Sequence, residues 1–108
     1  MGPEASIERT IRREAISAGW KARKVKFLDI NGCPDHLFGK DMRAVWIEFK
    51  RMLGEARKQQ LLRHAELRMV FGFEVHVCDS LVLARHVLLL PVPVMRAKLL
   101  PHPRVTLL

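Results

Sequence analysis

Asp35, Glu48 and Lys50 are the side chains of this sequence best suited to chemistry. Glu48 and Lys50 lie two apart in the stretch VWIEFK, whose β-branched and aromatic residues read as a strand. Residues two apart share a strand face, so Trp46, Glu48 and Lys50 point one way while Val45, Ile47 and Phe49 point into the core. Taken alone, the pair is better read as a plain ion pair on an exposed strand face. Asp35 changes the balance, because it stands thirteen residues before Glu48, directly after the turn-forming Gly32-Cys33-Pro34. If the strands that follow Asp35 and contain Glu48 pair as an antiparallel hairpin, the two carboxylates meet at the same end. Carboxylates brought together repel unless one is protonated or a cation lies between them. Hard oxygen ligands without His or Cys favour Mg²⁺, with Mn²⁺ as a substitute, over zinc. Such a cation polarises a phosphoryl oxygen and lowers the pKa of a bound water. Lys50 can orient that water and offset charge on a pentacoordinate phosphorus.

These side chains need a scaffold, and the sequence supplies one. Pro3 to Ala18 reads as a first helix: Ile7, Ile11, Ala15 and Ala18 form one stripe, Pro3 suits the first helical position and Gly19 stops it. Lys24 to Ile30 alternates as a strand, with Val25 and Phe27 on one face and Lys26 and Leu28 on the other. Asn31 to Pro34 is turn chemistry. Asp35 to Gly39 is a short second strand, Lys40 to Arg43 a hairpin connection and Ala44 to Lys50 the third strand. Gly54 breaks the chain before a long helix from Ala56 to Phe71, closed by Gly72. Phe73 to Cys78 alternates strictly as a fourth strand, and Ser80 can cap a short helix through His86. The order is α-β-β-β-α-β. The remaining stretch, 87–108, holds four of the six prolines and no acidic residue, and is neither a good helix nor a good central strand.

A chain of 108 residues, 49% hydrophobic, suits one compact domain. Cys33 and Cys78 do not make a disulfide framework and read as reduced packing residues of a cytosolic protein. No apolar run approaches the roughly 20 residues that span a bilayer, and the N-terminus lacks the apolar core of a signal peptide. Nineteen Lys and Arg against 11 acids give +8 and a pI near 10.3, a field that favours a polyanion, nucleic acid first. Arg9, Arg12, Arg13, Lys21, Arg23, Lys24 and Lys26 crowd the first quarter of the chain. No pair of histidines has metal-ligand spacing; His64 lies one turn beyond Gln60, where it could reach DNA, but His64, His76, His86 and His102 all read as ordinary residues. Trp20 and Trp46 read as packing rather than base-stacking residues.

Pro34-Asp35, then Glu48-Phe49-Lys50 with Glu48 thirteen positions after Asp35, is the PD-(D/E)XK pattern. With NGCPDHLFG, VWIEFKR, Gln60 ten residues after Lys50, GFEVHV and the opening EASIERTI, the sequence resembles the VRR-NUC domain family of the PD-(D/E)XK, restriction-endonuclease-like nucleases over residues 4 to about 80. The resemblance implies that Asp35 and Glu48 are central metal ligands, Lys50 the catalytic lysine and Glu8 the first-helix metal ligand. Glu4, one turn earlier, competes with Glu8, and either could simply complement the helix dipole. Gln60 matches a glutamine near the scissile phosphate, with Gln59 as its neighbour in an uncertain register and a solvated helix face as the plain alternative. Lys24 would contact phosphate, and Arg12, Arg23 and Lys26 would join it in binding nucleic acid. His36 departs from the family, which usually has arginine after Pro-Asp.

The expected fold is α/β: a small mixed sheet flanked by helices. Residues 1–86 form the nuclease-like domain and 87–108 a proline-interrupted apolar tail. The expected function is Mg²⁺-dependent hydrolysis of DNA phosphodiesters, selective for branched DNA as in Holliday-junction resolvases. It would act in replication, recombination or repair, in the cytoplasm of a bacterial or phage-infected cell. A flap or nicking endonuclease, and a non-catalytic basic DNA-binding module that kept the fold, stand as alternatives. A homodimer is expected, because one such site cuts one strand at a time and a two-fold supplies the second.

Overall fold

A computed structural model describes residues 2–51 and 56–92. Their element order is α1 (Pro3–Ser17), β1 (Lys21–Lys24), β2 (His36–Lys40), β3 (Arg43–Phe49), α2 (Lys58–Met69), β4 (Glu74–Cys78) and α3 (Leu81–Val87). The sheet runs β1-β2-β3-β4. The first three strands are an antiparallel meander, and β4 returns beside β3 in parallel after α2. The sheet is therefore mixed, as the α-β-β-β-α-β order leads one to expect.

Each face of the sheet has its own apolar layer. On one side Ile11 and Ala15 of α1 and Ala84, Val87 and Leu88 at α3 close over Phe38, Val45, Ile47, Phe49 and Cys78. On the other, Leu67 of α2 packs on Trp46 and Val75, with Val25, Phe27, Cys33 and Leu37 at the margin. Trp20 and Trp46 are both buried, as packing residues should be. Cys33 and Cys78 are free thiols, and burial pushes Cys78 up to about 12, which keeps it protonated and inert.

The helix ends follow local chemistry. After α1, Gly19 takes φ +97° and the amides of Gly19 and Trp20 bond back to the carbonyls of Ile16 and Ala15, a Schellman closure. Ser80 Oγ accepts from the Leu83 amide at 3.1 Å and caps α3. The β2–β3 connection is a two-residue turn with Asp41 and Met42 both at positive φ, the geometry that suits strand twist. Arg85 makes a bidentate pair with Glu14 at 2.8 and 2.7 Å, tying α3 to α1.

Three expectations are revised. The first strand lies at Lys21–Lys24, not from Lys24 to Ile30. Its pairing closes with the Val25 amide donating to the Asp35 carbonyl, one step before Pro34. Val25 and Phe27 alternate as predicted, but they do so in a connecting segment that packs on Trp46, with the Phe27 ring 5.4 Å from it. The second helix begins at Lys58 and ends at Met69, and Gly54 lies outside the described residues. The folded core also passes the boundary expected after His86, since Val87, Leu88 and Leu90 are buried in it. Of the tail, Pro91 and Val92 are exposed and 93–108 lie outside the described residues. Among the described residues, no helix is long and apolar enough to cross a membrane.

Candidate active site

The hairpin places the two carboxylates. His36 pairs with Ile47 and Leu37 with Trp46, so one further step of the same register sets Asp35 opposite Glu48. Directly opposed side chains in an antiparallel pair have Cβ atoms about 5 Å apart. Glu48 extends toward the α2 side of the sheet and is largely buried, as is Lys50, whose Nζ lies 3.7 Å from Glu48 Oε2. The Lys50 amide bonds to the Cys78 carbonyl at 2.9 Å, so the lysine backbone is held by the parallel ladder with β4. Asp35, Glu48 and Lys50 thus converge at one end of the central strands.

Electrostatics distinguish the two acids. Burial pushes the Glu48 carboxyl above its ordinary range, and the negative charge of Asp35 adds to this against the pull of Lys50. Asp35 moves the other way, first because of its hydrogen bond with His36 and then through the charges of His36 and Lys24. Glu48 is therefore a buried carboxylate whose charge its neighbours do not fully compensate. A cation between it and Asp35 would supply the missing charge. Magnesium is characteristically held by one or two carboxylates, its other positions filled by water and substrate phosphate, so the donor set fits it.

Glu8 does not join that pair directly. It lies on α1, across the sheet, with Oε2 3.0 Å from His36 Nε2 and 3.6 Å from Lys24 Nζ. The His36 approach is an ion-pair contact bent too far to count as a hydrogen bond. Among the described residues, no three Asp, Glu, His or Cys side chains gather closely enough to hold a metal ion. Glu4 is exposed in the first turn of α1. Gln60 sits in the first turn of α2, where Oε1 accepts from the Arg57 amide at 3.0 Å, so its carbonyl serves the helix cap. Gln59 is exposed, and its backbone seats α2 against the turn at Gly32.

A groove of about 420 Å³ opens beside Asp35, lined by Lys24, Lys26, Phe27, Asn31 and Cys33. Lys24 and Lys26 are exposed there, as a phosphate-binding margin requires. Arg12 is one turn beyond Glu8 on α1 and borders a smaller recess of about 320 Å³ with Glu8 and Arg9. Arg23 borders a different recess beside Trp20 and Lys21, and its Nη1 donates to the Ala22 carbonyl at 3.0 Å.

Sequence reasoning passes over two histidines. His36 is 2% exposed and donates from Nδ1 to Asp35 Oδ1 at 2.7 Å. Its adjacency to Asp35, where the resembled family has arginine, is the signal that could have found it. His64 does not reach outward: it is fully buried, and neither ring nitrogen has a hydrogen-bond partner. Burial, then the charges of Arg68 and Lys50, hold its pKa down, so a neutral imidazole stands within the field of Lys50. Its spacing of three from Leu67 on the same helix would have marked it as inward-facing.

The four-stranded mixed sheet between α1/α3 and α2 is an α/β core of the restriction-endonuclease-like class. More narrowly, the chain has the fold of a VRR_NUC domain. A solved structure described as "VRR_NUC domain" superposes with a TM-score of 0.72 at 20% identity, covering 81% of this chain and 95% of that one. No family model matches the sequence. No curated protein matches it either.

Proposed function

We propose that this chain is a metal-dependent DNA endonuclease that hydrolyses phosphodiesters in branched DNA. One observation carries the reading: Asp35 faces Glu48 across the β2–β3 register, with Lys50 3.7 Å from Glu48, on a VRR_NUC fold. Asp35 and Glu48 would hold Mg²⁺, or Mn²⁺ in its place. When bound, the ion would polarise a phosphoryl oxygen and acidify a water. Lys50 holds its ammonium beside Glu48, where it orients the attacking oxygen and offsets charge developing on the phosphate. Lys24 and Lys26 neutralise flanking phosphates along the groove at Asp35, and Arg12 extends that basic margin onto α1. Such a protein would act in recombination or repair, in the cytoplasm of a bacterial or phage-infected cell.

A non-catalytic DNA-binding module is the rival that a specific observation favours, since Glu8 and Gln60 are both occupied in contacts of the fold itself. The deciding experiment is a cleavage assay on a labelled four-way junction beside flapped, nicked and matched duplex DNA, with Mg²⁺ and with chelator. Metal-dependent cutting of the junction above the duplex is expected. Binding of all substrates without cutting would establish the rival, and preference for the flap or nick would move the substrate class.

A further inference from the structure

We infer that His36 is a positioning residue for this site, holding Asp35 through Nδ1. The inference rests on the nuclease reading above. His36 opens β2 with its side chain on the α1 side of the sheet, whereas the next residue back, Asp35, addresses Glu48 on the other. The ring is 2% exposed and packs edge-on against Phe49 at 5.1 Å, so its orientation is fixed by the core. From that position Nδ1 donates to Oδ1 of Asp35 at 2.7 Å and Nε2 stands 3.0 Å from Oε2 of Glu8.

Asp35 needs such a tether. Its side chain is 49% exposed and it precedes the strand, so neither packing nor the ladder selects its rotamer. A functional carboxylate has to be held within about 0.5 Å of its working position. The bond from His36 takes up Oδ1 and leaves Oδ2 for a ligand. Groups that hydrogen-bond a ligating carboxylate or histidine typically change metal affinity about 10–100-fold when removed.

The test is Mn²⁺ affinity of the full chain by titration calorimetry, with the melting temperature of each metal-free variant as a check of folding. His36→Phe keeps a ring against Phe49 and removes both polar arms. His36→Gln removes the arm to Asp35, while His36→Asn places its amide nitrogen where Nδ1 stood. Affinity should fall about 10–100-fold in His36→Phe and His36→Gln and stay close to wild type in His36→Asn. Wild-type affinity in folded His36→Phe would overturn the inference. Should His36→Phe fail to fold, equal affinities in the Asn and Gln variants would overturn it as well. If wild type itself binds no Mn²⁺, the metal-dependent reading falls and this one with it. Loss of the His36 effect alone leaves the metal-dependent reading standing.

Discussion

At the scale of single residues, function sets Glu48 against stability. Its carboxyl is pushed up by burial and by Asp35, so in the metal-free protein folding favours the neutral form. For an acid raised in the folded state, the favourable contribution is complete below the unfolded value of 4.5 and is lost as pH rises through the folded one. Glu48→Gln should therefore raise the melting temperature without metal at pH 8 and leave it nearly unchanged at pH 4. A change of about 1 kcal/mol moves a domain of this size by about 4–8 °C. Scanning calorimetry at the two pH values checks this, and equal shifts at both would show that packing and not charge is responsible. Asp35 reaches the core only through His36 and Lys50 only through Glu48, so the folding of each variant is checked alongside its activity. Asp35→Ala and Lys50→Ala should fold and bind DNA yet lose more than about a hundredfold in cleavage, the scale of removing one charge-stabilising group. Single-turnover cleavage at near wild-type rate in either variant would place the site elsewhere.

At the scale of elements, the turn before Asp35 transmits the position of α2 to the site. Gly32 has φ +91°, and a Cβ on it would lie 3.0 Å from the Gln59 carbonyl and 3.1 Å from side-chain carbons of Gln59 and Arg63. Gly32→Ala should cost about 1–3 kcal/mol through the strained backbone and displace Asp35 as well. Denaturant melts and the cleavage rate should fall together, and a variant as stable as wild type would show that this turn has slack. What the sequence discloses follows from how local each signal is. VWIEFK, the Asp35–Glu48 spacing, Gly19 and Ser80 act through neighbours in the chain, so the hairpin, the carboxylate pair and the helix ends are legible in the sequence alone. The extent of β1 is not, because its bounds are set by pairing with β2, a segment more than ten residues away. The role of Gln60 is hidden for a related reason: glutamine in a basic helix is ambiguous until the helix start is known, and the start at Lys58 makes it a cap. His36 and His64 need the third dimension, since only packing tells an interior imidazole from a surface one.

At the scale of the whole molecule, charge and assembly decide what the site can act on. Lys24 and Lys26 flank the groove at Asp35, and +8 over 108 residues supplies a wider attractive field. Binding to duplex DNA should weaken steeply with salt, each neutralised phosphate adding roughly 0.9 to the log–log slope, and charge-reversed Lys24 and Lys26 should flatten it. A slope near zero would remove this face as the contact surface. Assembly is the harder question. On the proposed reading one group of Asp35, Glu48 and Lys50 would cut one strand, and paired cuts across a junction would need two, which a two-fold dimer would provide. The apolar stretch that suggests an interface divides in the structure: Val87, Leu88 and Leu90 turn into the core, while Leu89 and Val92 are 78% and 70% exposed. Pro91 and Val92 also border a recess of about 400 Å³ against Arg13, Glu14, Ser17 and Ala18 of α1. Apolar side chains left outside beside a recess are the kind of feature that marks contact with another surface. Ending the chain at His86 would remove core residues and confound folding with assembly, so the variant to make is Leu89→Asn with Val92→Ser. The expected outcome is a dimer for the full chain by sedimentation, a folded monomer for the double variant, and loss of coordinated cuts on a four-way junction while single nicks persist. A wild-type monomer that still makes paired cuts would sink the dimer, and a double variant that remains dimeric would move the interface away from α3.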